Sequence, residues 1–405
     1  MNQRFTALDV FRGMTVCFMI IVNTPGNDDT SYAMLKHADW HGFTPTDLVF
    51  PSFMFAVGNA MSFVMKKWAT MSNAAVLNKI FKRTLIIFLL GYLMYWFPFV
   101  HWNESGELAF KPISHTRIFG VLQRIALGYC AAALMIRYLK LNTVLRLSLS
   151  FLFIYWLILL VFKGGEDPYD MLTNAGTRLD LWLLGPDHLY HGQGVPFDPE
   201  GLLSTLPAIA NVTFGYAAGK WIQEKARPSA PARSGSGGRA GTDGDDPRLN
   251  DSVGQAVGRG NSYEGLTKLL LAGVVLIFLA LCWNNFFPIN KKLWTGSFVF
   301  LTVGIDCVLL AALIYVIDFL KVKRFNYFFE VPGKNPLFVY LVSELAAILL
   351  GFFMIGNISV HKWLFENIFS NAGMYFGSFL YAVLFMLCCW LLGYVLDKKK
   401  IYIRV

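Results

Sequence analysis

Residues 36–65 read KHADWHGFTPTDLVFPSFMFAVGNAMSFVM and place two kinds of chain side by side. Up to Thr46 the stretch is mostly polar and carries two histidines; from Asp47 onward it is almost wholly apolar to Met65. A run of about 20 apolar residues is what a helix needs to cross the hydrocarbon core of a bilayer. With no water to satisfy its N–H and C=O groups, such a run bonds internally as a helix.

Nine further stretches share this character: 8–23, 80–99, 118–139, 145–162, 206–222, 266–283, 297–320, 335–354 and 375–396. The expected fold class is therefore all-α, a polytopic membrane helix bundle of about 10 transmembrane helices. The stretch 358–369 is too short to span and is expected at the interface. Composition agrees, with 55% hydrophobic, 16% aromatic and only 15% charged residues and a mean hydropathy of +0.48. A soluble domain needs about 25% charged residues to cover its surface, which argues against a cytosolic globular enzyme.

The net charge of +9 would suggest nucleic acid in a soluble protein. Here the cations flank apolar runs: Lys66, Lys67, Lys79, Lys82 and Arg83, then Arg137, Lys140 and Arg146, then Lys220 and Lys225, then Lys321, Arg324 and Lys334, with Lys398, Lys399 and Lys400 in the tail. Each group follows an even-numbered span, so all fall on one side, the cytoplasm, and both termini with them. The expected partner is the bilayer, with no nucleic acid. The six cysteines all lie in apolar segments without metal-type spacing, so they read as small buried residues. The start of the chain lacks a separate signal-peptide pattern, and a retained first span is expected.

Three regions follow. Residues 1–226 carry spans one to six, with a loop at 24–46 and a long extracytoplasmic loop at 163–205. Residues 227–264, rich in Gly, Ser, Pro and charge, read as a flexible cytoplasmic loop. Residues 265–405 carry spans seven to ten. The aromatic-rich spans suit lipid or a second copy of the chain, so a homodimer is an allowed assembly.

Ionisable groups within or beside spans are costly in lipid and mark functional candidates. His37 lies between Asn23, which ends span one, and Asp47, which opens span two, and a histidine there suits proton transfer near neutral pH. Asp47 follows Thr44, Pro45 and Thr46, a capping pattern, and could orient the imidazole. His41 makes an HxxxH pair with His37, but two ligands do not make a zinc site, and no metal is expected. In the opening of span four, Arg117 is near the interface while Gln123 and Arg124 lie deeper, where pairing or an anionic ligand explains a charge; Asp306 and Glu344 are the candidate counter-charges. Arg12 stands three residues from Asp9 at ion-pair spacing. Before span eight, Asn290, Lys291, Lys292 and Trp294 suit either interface anchoring or an anionic sugar.

Seven of these segments together resemble the heparan-alpha-glucosaminide N-acetyltransferase family of membrane acyltransferases: LDVFRG, VN at the end of span one, KHADWHGFTPTDLVFPSFMFAVG, RIFGVLQRIALGY, FDPEGLLSTLPAI, PINKKLWTGSF and GKNPLFVYLVSE. The resemblance implies transfer of an acetyl group from cytosolic acetyl-CoA to the amino group of a terminal glucosamine across the membrane. It places the active-site histidine at His37 and its associated asparagine at Asn23. His41 stands where the family often has Asn, and Ser343 where its lysosomal members have a histidine. A bacterial inner membrane is the expected location, with the His37 loop on the periplasmic side. On this reading His37, Asn23 and Asp47 are catalytic; Arg124, Gln123, Arg117, Arg12 and Lys334 meet acetyl-CoA; Asn290, Lys291, Trp294 and Glu344 meet the amino-sugar acceptor. O-acyl transfer to a cell-envelope glycan and transport without chemistry are the competing readings.

Overall fold

The computed structural model describes residues 5–103, 105–226, 247–322 and 324–403, with the backbone alone over 247–261. The described chain is mostly helical: α1 (Thr6–Asn23), α2 (Val49–Trp68), α3 (Asn73–Trp96), α4 (Val121–Tyr138), α5 (Leu141–Val161), α6 (Ala175–Leu184), α7 (Thr205–Trp221), α8 (Pro247–Trp283), α9 (Gly296–Ile314), α10 (Asn326–Lys334), α11 (Pro336–Phe352), α12 (Val360–Leu364) and α13 (Met374–Lys398). Two small antiparallel hairpins, Val100–Trp102 with Leu108–Phe110 and Met354–Ile355 with Ile358–Ser359, are the sheets among the described residues.

Six helical stretches are long and apolar enough to cross a membrane: Thr6–Asn23, Pro45–Trp68, Leu141–Val161, Ser262–Trp283, Gly296–Phe319 and Met374–Lys398. A seventh is made by α10 and α11 if the pair, bent by 81° at Asn335, counts as one span. The remaining stretches, 80–99, 118–139 and 206–222, are largely helical as α3, α4 and α7. Lys79, Lys82 and Arg83 charge the first half of α3, Arg124 interrupts α4, and α7 has 17 residues. Of the loop expected at 227–264, residues 227–246 lie outside the described residues, and α8 begins at Pro247.

Inner and outer helices differ in what covers them. In α1 and α2 most of the apolar run is buried, whereas α5 and α13 leave Phe153, Leu157, Leu391 and Leu392 exposed, as lipid-facing helices do. Without a hydrophobic drive between helices in lipid, close contact comes from small residues. A Cβ on Gly58 of α2 would stand 1.8 Å from the Val212 carbonyl oxygen of α7, and one on Gly215 would stand 2.1 Å from that of Phe55, so the two backbones touch. Gly13 of α1 and Gly333 of α10 make a second such crossing.

Candidate active site

The His37 loop is tied down by the start of α2. Residues Pro45–Leu48 form a 3-10 turn capped by Thr44, and Asp47 completes a capping box in which its Oδ2 accepts from the Thr44 amide at 3.0 Å. This carboxylate also accepts from Thr44 Oγ1 (3.2 Å), from the Ala38 amide (3.2 Å) and from the ring of His37, whose Nδ1 is 2.7 Å from Oδ1. Asp47 is 1% exposed, whereas the His37 side chain is 43% exposed, so a buried acceptor holds an imidazole that faces open space. That bond sets the ring proton on Nδ1 and leaves the Nε2 lone pair for chemistry.

Lys291 arrives from the turn before α9. Its Nζ is 3.0 Å from His37 Nδ1, 3.1 Å from Nε2 and 3.9 Å from Asp47 Oδ1. The turn is built by its neighbours. Asn290 is buried, its Oδ1 accepting from the Leu293 amide and its Nδ2 donating to His41 Nδ1 at 3.3 Å. Trp294 adopts a left-handed backbone (φ 55°), an unfavoured conformation for a bulky residue, and its buried ring pins it there. The indole donates to Asn211 Oδ1 (2.9 Å), packs edge-on against Phe50 and lies under the Arg124 guanidinium at 4.8 Å. Its ring is thus enclosed by protein and not offered to a sugar at the surface.

Burial lowers the His37 pKa below its ordinary 6.5; the bond to Asp47 opposes this and the charge of Lys291 adds to it. Burial likewise pulls Lys291 down to about 8, against the attraction of Asp47 and Glu200. Glu200 is held below the ordinary carboxylate range in spite of its burial by Arg117, Arg124 and Lys291.

The other candidates divide by partner. Arg117 donates twice to Asp198, at 2.9 and 2.6 Å, and once to Glu200 at 2.6 Å, and sits between the rings of Tyr95 and Tyr190. Lys334 is held by Asp397 at 2.9 and 3.0 Å. Both charges are therefore matched by the protein's own carboxylates. Arg124 is fully buried and donates to Ser204 Oγ and the Gly201 carbonyl. Neither counter-charge expected for it is there: Asp306 accepts from Ser52 Oγ at 2.5 Å, and Glu344 accepts from Asn23 Nδ2 at 3.2 Å. Asn23 is thus engaged with α11. Among the described residues Gln123, also fully buried, finds no hydrogen-bond partner for either side-chain polar atom.

At the opposite end of the bundle a cavity of about 110 Å³ opens between α1, α2, α3, α4 and α11. This is roomy beside the roughly 10–15 Å³ that one water requires. Arg12, Arg83, Tyr129, Met65 and Leu337 line it, and the Arg83 guanidinium stacks 4.7 Å over the Tyr129 ring. Arg12 pairs with Asp9 at the expected spacing, 3.4 Å. Among the described residues no carboxylate lies within ion-pair distance of Arg83. Sequence spacing gave no sign of Tyr129 or of the contact between Lys291 and His37, because both depend on helices far apart in the chain.

Fold and site together define a class: a helical membrane protein with a histidine, aspartate and lysine cluster at one end of its bundle and a cationic cavity at the other. The sequence profile described as "Heparan-alpha-glucosaminide N-acetyltransferase, catalytic" matches residues 4–237, more than half of the chain, and the chain belongs to that family. It is 24% identical over 462 aligned residues to the Homo sapiens protein named heparan-alpha-glucosaminide N-acetyltransferase, and 25% over 466 to the Mus musculus protein of that name. These alignments cover 99% and 100% of this chain but 60% and 61% of the relatives, so the chain spans about three fifths of their length.

Proposed function

We propose that this protein transfers an acetyl group from cytosolic acetyl-CoA to the amino group of a glucosamine-type sugar on the opposite side of the membrane. The observation that carries the reading is the His37–Asp47 pair: an exposed imidazole, oriented at 2.7 Å by a buried carboxylate and held largely neutral, is suited to general-base work near pH 7. The family supports the choice of acetyl group and amino acceptor.

In this reading the chain crosses a bacterial inner membrane about 10 times, both termini are cytoplasmic and the His37 loop is periplasmic. The cavity holding Arg12 and Arg83 lies on the cytoplasmic side, where guanidinium groups suit the phosphates of acetyl-CoA. The acyl arm then passes Gln123 and Arg124, buried polar groups with hydrogen-bonding capacity to spare. Arg117 and Lys334 serve instead to hold the loop at 198–200 and the α10–α11 corner. At the mouth, Lys291 and Glu344 face the acceptor, and Asn290 and Trp294 support Lys291. The amine nitrogen attacks the thioester carbonyl, the C–N bond forms and the C–S bond breaks. His37 Nε2 takes the amine proton and returns it to the departing sulfur, while Asn23 holds the carbonyl oxygen. A second copy of the chain is compatible with the exposed faces of α5 and α13.

The test uses purified protein, labelled acetyl-CoA and glucosamine. Acetylated sugar is expected, and His37→Ala lowers its rate by about 10²–10⁴-fold while acetyl-CoA binding persists. An active His37→Ala enzyme removes the histidine from the mechanism. Absence of acetylated sugar with any amine or hydroxyl acceptor favours transport and sinks the transferase reading.

A further inference from the structure

Of the three residues given a part in the chemistry above, Asp47 is buried, whereas His37 and Asn23 face open space. His37 is held from behind by Asp47. Asn23 has a carboxylate of its own: its Nδ2 donates to Glu344 Oε1 at 3.2 Å, across 321 residues of chain. Glu344 also takes a hydrogen bond from the side chain of Tyr340, which is buried one helical turn earlier on α11. The bend at Asn335 and the close crossing of α10 with α1 at Gly13 and Gly333 bring α11 to the end of α1, where Asn23 sits. The pair belongs to the His37 region, because Glu200 bears electrostatically on both Tyr340 and His37.

An amide has a donor end and an acceptor end of nearly the same shape, and a turn of half a circle about its last bond exchanges them. An exposed Asn23 with nothing behind it is free to meet a carbonyl oxygen with either end. The N–H stabilises that oxygen as charge develops on it, and Oδ1 repels it. As a carboxylate Glu344 only accepts, so it admits Nδ2 and turns Oδ1 away. With one N–H held, the other N–H of the planar amide has a single direction. We propose that Glu344, backed by Tyr340, is a positioning residue for Asn23: it holds the amide in the one orientation that leaves a second N–H for the thioester carbonyl oxygen. This rests on the reading of Asn23 as the group that holds this oxygen, and it gives Glu344 a task before the acceptor arrives. No proton is exchanged in the task, since Glu344 accepts throughout.

A double-mutant cycle over Asn23→Ala, Glu344→Ala and the two together, read as kcat for acetyl transfer, tests this. Glu344→Ala is expected to lower kcat about tenfold, the loss of one hydrogen bond to a charged group. Asn23→Ala is expected to lower it about 10²-fold or more, and the double variant no further. A residue that only met the acceptor would cost the same with or without Asn23. Additive losses, or an unchanged kcat in Glu344→Ala, therefore overturn the proposal and leave the acetyl transfer reading in place. Glu344→Gln carries the same cycle if the Ala variant does not fold. Its amide pairs with either end of Asn23, so kcat is expected to fall a few-fold in the native background and not at all in Asn23→Ala. In a protein that acetylates nothing, the reading fails and the cycle is read by thermal unfolding in detergent: coupled losses uphold the hold of Glu344 on Asn23, and additive ones overturn it.

Discussion

The two ends of the bundle handle charge in opposite ways. At the His37 end two cations are met by partners from distant parts of the chain: Arg117 by Asp198 and Glu200, Lys291 by His37 and Asp47. At the other end, Arg83 lines a cavity with an aromatic ring as its neighbour and no carboxylate within ion-pair distance among the described residues. The first end is a set of groups already held by one another. The second is a receptacle in which Arg83 has no carboxylate facing it among the described residues, the condition under which an anionic ligand gains most. A positive charge in a membrane protein is thus informative chiefly through what already faces it.

Substitution at matched positions on the two ends separates these roles. Arg117→Ala should have the largest effect, and on stability: it strands Asp198 and Glu200 in a buried site, which costs about 3–5 kcal/mol. Thermal unfolding in detergent is expected to show a marked loss, and an unchanged melting temperature would mean that this end is not held by its ion pairs. Arg83→Ala should leave melting nearly unaltered and raise the KM for acetyl-CoA about tenfold, the loss of one charged hydrogen bond. Equal effects of the two variants on KM would erase the contrast.

The smallest effect is the pH dependence of transfer. His37 loses its proton at a value lowered from 6.5, since burial and Lys291 outweigh Asp47 and Glu200. The base form is therefore present above that value and lost below it, so the rate should rise with pH through a limb below 6.5 and be flat near 7. The unfolded chain binds this proton more readily, and His37 accordingly withdraws stability as pH falls below 6.5. A limb above 7 would mean that the imidazole is held protonated at rest.

Much of the fold was legible because an apolar run in lipid has one way to satisfy its backbone. All ten expected stretches contain helix, including the 335–354 stretch, although the 81° break that starts it at Asn335 was not foreseen. The His37–Asp47 pair was legible for a local reason: ten residues separate them, and Thr44-Pro45-Thr46-Asp47 is a turn that folds on itself. Lys291 was read only as an interface anchor or a sugar contact, because its distance from His37 along the chain is 254 residues and no local rule spans it. The same limit explains Arg117, whose carboxylates come from a loop more than 80 residues away, and Arg124, whose expected counter-charges proved to be bonded to Ser52 and Asn23.

The backbone contact of α2 with α7 at Gly58 and Gly215 has a consequence for donor choice. A helix locked to its neighbour at that depth neither bends nor slides readily, so α2 works as a ruler. On α2 the cavity runs from Phe53 to Trp68, so the rise of an α-helix puts its lining about 9 to 32 Å from Asp47 behind the imidazole. On the proposed reading, a compact donor seated at the far end of that cavity would fall short of His37. On the same reading an acetyl group carried on a long flexible arm would reach it from anywhere along the lining, and the length of one helix would favour such donors.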